Sequence, residues 1–309
     1  MRVHADELHV TDRLVRDLLR DQLPSLAGLD VAPLSSQGSS NALFRLGPDL
    51  LVRLPRQPGG SATVHKEARW GPYVGARLPV PVPEVVAVGG PGRGYPESWS
   101  VVRWLEGSTP ATGSGDAGAS PAGLQPLALD LAGLVRALRS VDVPAEAHGD
   151  PALRWYRAEP LADRAQDTRA DLLSCRQFGV DVDALLLVWE EAMRLPAAVG
   201  PTQWLHGDLL GENLLVTGGR LAAVLDLGGL AVGDPTVDLV VAWDVLDSRG
   251  REVFREAVEV DDDTWLRGRA WALCLSAMTL PYYWTTMPER CAGRVRVLEA
   301  VLLDARRTG

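Results

Sequence analysis

Apolar and polar residues alternate with two different periods along the first third of the chain. A helical period follows Thr11, a residue that can cap a helix, and continues to about Pro24. Its apolar face comprises Leu14, Val15, Leu18 and Leu19. Strand-like segments follow, and Gly47-Pro48-Asp49 predicts a hairpin turn between the first two of them. The predicted strands span residues 41–46, 50–54, 85–88 and 99–104.

The other periodic segments have helical spacing. One predicted helix, residues 61–71, lies between the second and third strands, and Pro72 is expected to kink or restart it. The second half of the chain is mostly helical by the same criterion. The helices predicted there span residues 127–140, 183–194, 236–246, 264–280 and 290–306. The segment 107–123, rich in Gly, Ser and Ala, is predicted to be a mobile loop between the two halves.

The segment 205–239 carries the polar side chains of a phosphoryl-transfer site. Asp208, in the run His206-Gly207-Asp208, is followed five positions later by Asn213. This is the catalytic-loop spacing of kinases, in which the aspartate receives the proton of the substrate hydroxyl and the asparagine helps to hold Mg²⁺. Asp226 follows an apolar run, at the place of the second, metal-binding aspartate of kinases.

These residue types suit a magnesium-nucleotide complex. Mg²⁺ prefers oxygen ligands and keeps several waters, so one amide oxygen and one carboxylate suffice beside phosphate oxygens. We predict Asn213 and Asp226 as the metal ligands and Asp208 as the catalytic residue that orients the acceptor hydroxyl. Each of the three taken alone is more typical of a turn, because Asp and Asn hydrogen-bond locally there. Their order and spacing together favour catalysis.

The whole pattern resembles the aminoglycoside phosphotransferase family, the antibiotic kinases with a protein-kinase-like fold. The resemblance rests on segments 206–213, 226–228 and 233–239, and less strongly on 41–46, 51–56 and 78–83. Leu210 departs from it, since many members have histidine there. The resemblance implies an α+β, two-lobed protein-kinase-like fold. An N-terminal antiparallel sheet lobe, residues 1–106, would bind the nucleotide, and a mostly helical C-terminal lobe, residues 107–309, would hold the catalytic loop and the acceptor.

The nucleotide-binding residues are less explicit in the sequence. Ser39 and Ser40, in a segment of small residues, are predicted to bring backbone N–H groups to the phosphates, although an ordinary polar turn explains them equally well. Arg53 stands on a strand where protein kinases have the lysine that contacts the α- and β-phosphates, and Glu67 on the next helix is its predicted ion-pair partner. Arg56 is a competing candidate, and a surface Arg and Glu remain the alternative.

Further supporting residues are assigned around these segments. The resemblance implies that backbone groups near Arg103 to Leu105 hold the purine of ATP or GTP, the co-substrate, and that His206 supports the catalytic loop through hydrogen bonds. Asp238 is predicted to accept backbone N–H groups of that loop. Asp234 is predicted to cap the helix that follows it.

Composition and charge bound the class of protein. With 309 residues, 46% apolar and 23% charged, the chain is long and apolar enough for a globular protein with two lobes. A net charge of −9 speaks against nucleic acid as a partner. Three cysteines at unrelated spacings indicate reduced thiols and a cytoplasmic location. No apolar run has the length of a membrane helix and no signal peptide is recognised, so no membrane association is expected.

The acceptor is expected to be small. Few residues separate Asp226 from Asp234, which leaves no room for the long activation segment that docks a protein substrate. No protein substrate is therefore expected. A non-catalytic nucleotide-binding pseudokinase is the alternative from another class, and the joint presence of Asp208, Asn213 and Asp226 argues against it.

Two sets of residues in the C-terminal lobe favour different acceptors. An acidic set suits an amine-bearing sugar: Asp244, Asp247, Glu259, Asp261, Asp262 and Asp263. An aromatic set suits a large apolar macrolide ring: Trp265, Trp271, Tyr282, Tyr283 and Trp284. Acidic runs are more often solvated surfaces than ligand sites, and Trp and Tyr at helical spacing are more often core residues than ligand contacts. The net charge of −9 favours a cationic antibiotic, an aminoglycoside, with a macrolide or another small metabolite as the alternative.

Overall fold

The N-terminal part of the chain forms one antiparallel sheet. The structure is a computed structural model that describes residues 4–34, 38–110, 124–198 and 200–308. The five strands of the sheet are β1 (Val31–Leu34), β2 (Asn41–Leu46), β3 (Leu50–Pro55), β4 (Val85–Gly89) and β5 (Trp99–Arg103). They are arranged in the order β1-β2-β3-β5-β4, and all neighbouring pairs are antiparallel. The predicted N-terminal antiparallel sheet is confirmed.

The predicted first helix and hairpin have the positions expected from the sequence. Helix α1 (Asp12–Gln22) begins after Thr11, whose Oγ1 accepts from the Leu14 N–H at 3.2 Å. Its buried apolar face packs beneath the sheet. In β2, every second residue is buried, and the hairpin pairs Leu46 with Leu50 across a turn in which Gly47 has a φ of 58°. Glycine tolerates that left-handed backbone without strain.

The helix after β3 is longer than predicted. Helix α2 (Ser61–Gly75) continues through Pro72 to Gly75. The helix survives the missing N–H because its last two turns are fixed by packing, with Trp70 and Val74 buried against the helical lobe. Its first turn is held by Glu97, whose carboxylate accepts the backbone N–H groups of Gly59 and Ser61, each at 2.8 Å.

Helices dominate the rest of the described chain. They are α3 (Gln125–Ser140), α4 (Ala145–His148), α5 (Ala165–Ser174), α6 (Val182–Met193), α7 (Val241–Asp244), α8 (Ser248–Val258), α9 (Asp262–Tyr283) and α10 (Pro288–Thr308). The predicted helix at 236–246 is wrong in type: residues Pro235–Val240 form a 3₁₀ segment that leads into the short α7. The segment is buried on all sides and packs against α9, so tertiary contacts decide its conformation. Helices α4, α5 and α8 were not predicted.

Two small antiparallel ribbons frame the catalytic segment. They pair β6 (Gln203–Leu205) with β9 (Ala231–Gly233), and β7 (Leu214–Thr217) with β8 (Arg220–Val224). The catalytic loop leaves β6 and enters β7, while Asp226 follows β8 after one intervening residue, Leu225. Both candidate metal ligands therefore lie at the ends of short, paired strands.

Buried apolar residues divide into a sheet cluster, a helical cluster and a third cluster between them. In the third cluster, the rings of Trp70 on α2 and Trp204 on β6 lie 5.5 Å apart, and Leu227 and Leu230 pack on them. The Trp70 indole N–H also donates to Asp150 at 2.8 Å. This packing fixes α2, and with it Glu67, against the catalytic segment. The lobe boundary at residue 106 stays a prediction.

Other sequence expectations concern thiols, membranes and the loop at 107–123. Cys175, Cys274 and Cys291 are all buried free thiols. Among the described residues, no helix combines the length and the apolar character needed to cross a membrane. Of the predicted mobile loop, Ser108 pairs with Val216 in an isolated bridge, and residues 111–123 lie outside the described part of the chain.

Gly89 offers a test of sheet packing. A Cβ at this position of β4 would lie 2.1 Å from the fully buried indole of Trp99 on β5. We expect Gly89→Ala to lower the free energy of unfolding by about 1–3 kcal/mol, the usual cost of overpacking a core. Urea denaturation followed by fluorescence measures it.

The neighbouring Gly90→Ala is the matched control. A Cβ there would meet nothing within 4 Å, and its backbone contacts with Gln22 and Trp99 would be kept. Its free energy of unfolding should stay within about 0.5 kcal/mol of the parent. Equal stability of the two variants would contradict the packing described for β4 and β5.

Candidate active site

The catalytic loop is held in place by hydrogen bonds to its backbone N–H groups. Both oxygens of the buried Asp238 carboxylate accept N–H groups, from His206 at 2.7 Å and from Gly207 at 2.8 Å. The Nδ1 of His206 accepts from the Asp208 N–H at 3.2 Å, so its Nε2 carries the proton and donates to the Leu225 carbonyl at 2.9 Å. The imidazole therefore ties the loop to the end of β8. The predicted contacts of Asp238 and His206 are both present.

Gly207 has to be glycine for two reasons. Its φ is 76°, and a Cβ there would lie 2.6 Å from both the Gly229 carbonyl and the Trp155 ring. This left-handed residue directly precedes Asp208, the predicted catalytic residue.

Asn213, a predicted metal ligand, is oriented by the catalytic candidate Asp208. Its Nδ2 donates to the Asp208 carbonyl at 2.8 Å and to Asp208 Oδ2 at 3.1 Å. The amide nitrogen is thereby engaged on the catalytic loop, and the amide oxygen is the end that a metal ion would use. The Asn213 carbonyl also accepts the Leu225 N–H at 2.8 Å, which joins the catalytic loop to the strand that leads to Asp226.

Asp226 has a left-handed backbone with a φ of 56°, a strained conformation for a residue other than glycine. Its Oδ1 accepts from the Gly228 N–H and from Arg53 Nη2, each at 3.2 Å. Its side chain is 31% exposed, so the second oxygen can reach a cation in the cleft. The described residues contain no group of three His, Cys, Asp or Glu side chains arranged for a metal, and one amide with one carboxylate fits Mg²⁺ that is shared with phosphates.

The predicted ion pair between Arg53 and Glu67 is present. The Arg53 guanidinium donates to the two Glu67 oxygens at 2.9 and 3.2 Å, and both side chains are at least 90% buried. Burial disfavours the charge on Arg53, but the carboxylates of Glu67 and Asp226 outweigh it and raise the pKa of Arg53. The competing Arg56 instead contacts Glu7 at 2.6 Å and the Asn41 carbonyl at 3.1 Å. Arg53 is the arginine that faces the cleft.

A cavity of 360 Å³ lies between the sheet and the catalytic segment. Its apolar walls suit a flat purine: Leu34, Leu43, Leu51, Pro83, Val102, Leu215 and Leu225. Its polar lining includes three of the predicted site residues, Arg53, Asn213 and Asp226. Arg103, Trp104 and Leu105 line it at the connection between the lobes.

Two of the predicted nucleotide residues are engaged elsewhere by their side chains. Ser40 lines the cavity, whereas the Ser39 hydroxyl accepts from Arg290 Nη1 at 3.3 Å and its carbonyl contacts His4 Nε2 at 3.0 Å. The Arg103 guanidinium pairs with Glu84 at 2.9 Å on the outer surface. The Arg103 side chain is therefore engaged in an ion pair, and the backbone contact with the purine that the resemblance implies stays a prediction.

Sequence reasoning missed an arginine on the catalytic aspartate. Arg157 forms an ion pair with Asp208 Oδ1, donates to the Gly207 carbonyl at 3.0 Å, and stacks on Trp155 with its Cζ 4.5 Å from the ring centroid. Burial alone would raise the pKa of Asp208, but Arg157 and, to a lesser extent, Arg290 lower it below the ordinary value. Asp208 is thus a carboxylate at neutral pH. No local pattern marks Arg157, because it lies 51 residues from Asp208 in sequence.

Most of the acidic residues considered for a cationic acceptor cap helices or form ion pairs on the surface. Asp247 and Asp261 cap α8 and α9, accepting from Gly250 at 2.6 Å and Thr264 at 2.7 Å. Glu259 and Asp262 pair with arginines on the surface. Only Asp244 among these residues touches the catalytic loop, where it accepts the Gly211 N–H at 2.6 Å.

The aromatic candidates divide into two groups. Trp265 and Trp271 are core residues, 1% and 0% exposed. Tyr282 and Trp284, at the end of α9, are 56% and 40% exposed. Tyr283 lies beside Arg290, whose Cζ is 5.2 Å from the ring centroid. Only the residues at the end of α9 are therefore available to a ligand.

A sheet lobe, a helical lobe and an Asp–Asn–Asp set at the cavity between them define a kinase-like phosphotransferase fold. A family model described as the phosphotransferase enzyme family matches residues 30–271. The chain belongs to this family. Its match spans the sheet, the catalytic loop and α9 up to Trp271.

Solved structures of the same fold cover nearly the whole chain. The GDP complex of wild-type aminoglycoside 2'-phosphotransferase-IIIa has a TM-score of 0.73 at 19% identity, covering 96% of this chain and 100% of its own. The GDP and kanamycin complex of APH(2")-IIIa gives 0.70 at 21%, with 96% and 99% covered. Macrolide 2'-phosphotransferase MphH from Brachybacterium faecium gives 0.57 at 23%, with 94% and 97% covered. A search of curated proteins finds no match.

Asp238 offers a test of the loop geometry. Asp238→Ala leaves the N–H groups of His206 and Gly207 buried without their acceptor, and each such loss costs about 1–3 kcal/mol. We expect the free energy of unfolding, measured in urea, to fall by about 2–5 kcal/mol. Asp234→Ala is the control, because it loses only the cap bond from the Thr236 N–H, worth about 0.5–2 kcal/mol. A smaller loss for Asp238→Ala than for Asp234→Ala would contradict the anchoring role.

Proposed function

We propose that this protein transfers the terminal phosphoryl group of ATP or GTP to a hydroxyl of a small-molecule antibiotic. The observation that carries the proposal is that Asn213 and Asp226 line a cavity that also presents Arg53, and that the Asp208 carboxylate accepts a hydrogen bond from Asn213. Phosphoryl transfer depends mainly on positioning and charge stabilisation, which such a constellation supplies. A pseudokinase would have no need for an oriented Asp208.

The chemistry follows from the charge states. Asp208 stays ionised at neutral pH, accepts a hydrogen bond from the acceptor hydroxyl and takes its proton as the oxygen bonds to the terminal phosphorus. The bond from that phosphorus to the bridging oxygen breaks, and the nucleoside diphosphate leaves with the electron pair. Asn213 and Asp226 would hold Mg²⁺, which neutralises the charge that develops on the phosphates. Arg53, kept in place by Glu67, faces the α- and β-phosphates.

The nucleotide proposal rests on the cavity and on similar proteins. The cavity offers apolar walls for a purine beside the connection between the lobes. Structures of similar proteins are GDP and ADP complexes. Either ATP or GTP therefore fits as the donor. A cytoplasmic location for the reaction is part of the proposal, because ATP and GTP are intracellular co-substrates.

An aminoglycoside is the first candidate acceptor. The net charge of −9 favours a polycation at long range, and similar structures are complexes with kanamycin and gentamicin. A protein acceptor is disfavoured because the short interval from Asp226 to Asp234 leaves no segment to dock it. A nucleic acid is disfavoured because the net negative charge of this protein repels phosphates.

A macrolide is the second candidate, and one observation favours it. Around Asp208 the structure places Arg157 and Arg290, and the nearby end of α9 exposes Tyr282 and Trp284. Arginines oppose a dense positive charge on the acceptor, whereas exposed aromatic rings bind an apolar macrocycle. Similar structures also include macrolide 2'-phosphotransferases.

The catalytic assignment is tested with Asp208→Ala. Turnover should fall by about 10² or more while the affinity for the magnesium nucleotide stays close to that of the parent, because the carboxylate acts on the acceptor hydroxyl. Steady-state kinetics and isothermal titration calorimetry give the two quantities. Asp226→Ala is the contrasting variant: its nucleotide affinity should lose the dependence on Mg²⁺. Normal turnover of Asp208→Ala would refute the assignment.

The acceptor class is tested by salt. If the acceptor is an aminoglycoside, its KM should rise severalfold from low to physiological ionic strength, because exposed charge pairs are screened over about 8–10 Å. A macrolide assayed in parallel with product mass spectrometry is the control. A KM that does not change with salt, with turnover of the macrolide and of no aminoglycoside, would select the second candidate and leave the kinase mechanism in place.

A further inference from the structure

We propose that Arg290, on the C-terminal helix α10, contacts the phosphoryl group during transfer and stabilises its charge. The inference rests on the proposed function and adds a catalytic residue from a part of the chain in which the sequence showed no motif. Its basis is the location of the guanidinium, which bridges the two lobes at the end of the nucleotide cavity.

The guanidinium lies between a predicted phosphate-binding residue and the catalytic loop. Its Nη1 donates to the Ser39 hydroxyl at 3.3 Å, and Ser39 directly precedes Ser40, which lines the cavity. Its Nη2 donates to Glu212 Oε1 at 2.6 Å, and Glu212 directly precedes the candidate metal ligand Asn213. A terminal phosphate placed between Ser40 and Asn213 would therefore lie next to Arg290.

The environment holds the Arg290 side chain in one orientation. Its side chain is only 13% exposed, and its Cζ lies 5.2 Å from the Tyr283 ring centroid. The Nε is buried, and within the described part of the chain it has no hydrogen-bond partner. One donor is thus unused, and the contact with Ser39 is long enough to be exchanged for a phosphate oxygen. The charge of Arg290 also contributes to lowering the pKa of Asp208.

A structural role alone leaves the contact with Ser39 unexplained. Arg294, one turn further along α10, already ties the helix to the catalytic segment: it pairs with Asp244, which in turn accepts the Gly211 N–H at 2.6 Å. Arg294 also approaches Glu212 at 3.8 Å. Arg290 differs from Arg294 because its guanidinium also contacts Ser39, which belongs to the sheet lobe.

The chemistry requires no additional reactant. As the acceptor oxygen bonds to the terminal phosphorus and the bond to the bridging oxygen breaks, negative charge is spread over the three remaining phosphoryl oxygens. A guanidinium can donate two parallel hydrogen bonds to such oxygens and stays protonated throughout. The acceptor proton goes to Asp208. The contact to Ser39 gives way to contacts with the phosphoryl group, and the pair with Glu212 is kept.

The experiment compares Arg290→Met and Arg290→Lys with Arg306→Met. Arg306 is an exposed residue of the same helix, so this control makes the same chemical change away from the cleft. Turnover and both KM values are measured, together with calorimetric affinities for magnesium nucleoside diphosphate alone and with aluminium fluoride, which mimics the phosphoryl group in transfer. Thermal melting checks the fold.

For Arg290→Met we expect turnover to fall on the order of 10²-fold, as when one donor to a developing negative charge is removed, with both KM values within about threefold. The aluminium fluoride complex should lose a similar factor in affinity, while the diphosphate alone binds as in the parent. Arg290→Lys should recover part of both losses, because it restores the charge without the paired donors. Arg306→Met should match the parent.

Two other outcomes are distinguishable. In the first, Arg290→Met keeps the turnover and the fluoroaluminate affinity of the parent, or it weakens the diphosphate and fluoroaluminate complexes equally and lowers the melting temperature. Either result would mean that Arg290 is only structural and that the inference is wrong. If the parent protein gains no affinity from aluminium fluoride and phosphorylates no acceptor, the proposed function fails, and the inference fails with it.

Discussion

The rest of the candidate active site depends on the buried carboxylate of Asp238. Its two oxygens accept consecutive backbone N–H groups, from His206 and Gly207, just where the chain leaves β6. Those N–H groups would otherwise be buried without partners, so the carboxylate both offsets a large cost and fixes the direction of the chain. With that direction set, His206 can reach the Leu225 carbonyl and Asp208 can reach the cleft. One side chain thereby aligns the catalytic loop with the strand that carries Asp226.

Carboxylates at the cleft are compensated by arginines from distant parts of the chain. The pairs are Glu67 with Arg53, Asp208 with Arg157, Glu212 with Arg290 and Asp244 with Arg294. A buried carboxylate without a partner would cost several kcal/mol, so these arginines are a condition for placing acids there. The consequence is that the net charge of −9 does not describe the surroundings of Asp208. Local charge and overall charge therefore favour different acceptors.

Much of the fold could be predicted from local patterns. The helix after Thr11 and the long helices α3, α6 and α10 have apolar residues at helical spacing, and the hairpin at Gly47 has a clear turn signal. Errors occurred where packing overrides local preference. Pro72 lies inside α2 because Trp70 and Val74 are buried on either side of it. The segment after Asp234 is enclosed by core residues on every side, so it has no amphipathic period from which to predict its 3₁₀ conformation.

For the site, the sequence by itself determined the chemical groups and their order: Asp208, Asn213 and Asp226 at kinase spacing, and an arginine and a glutamate at positions 53 and 67. Spacing is informative there because the catalytic segment is short and its strands are paired with one another. Only the tertiary structure decided which arginines meet which acids. Arg157 and Arg290 lie 51 and 78 residues from their partners, and ion pairs over such separations leave no periodic mark in the chain. Their positions follow from the packing of whole helices, which places α10 across the cleft from Ser39.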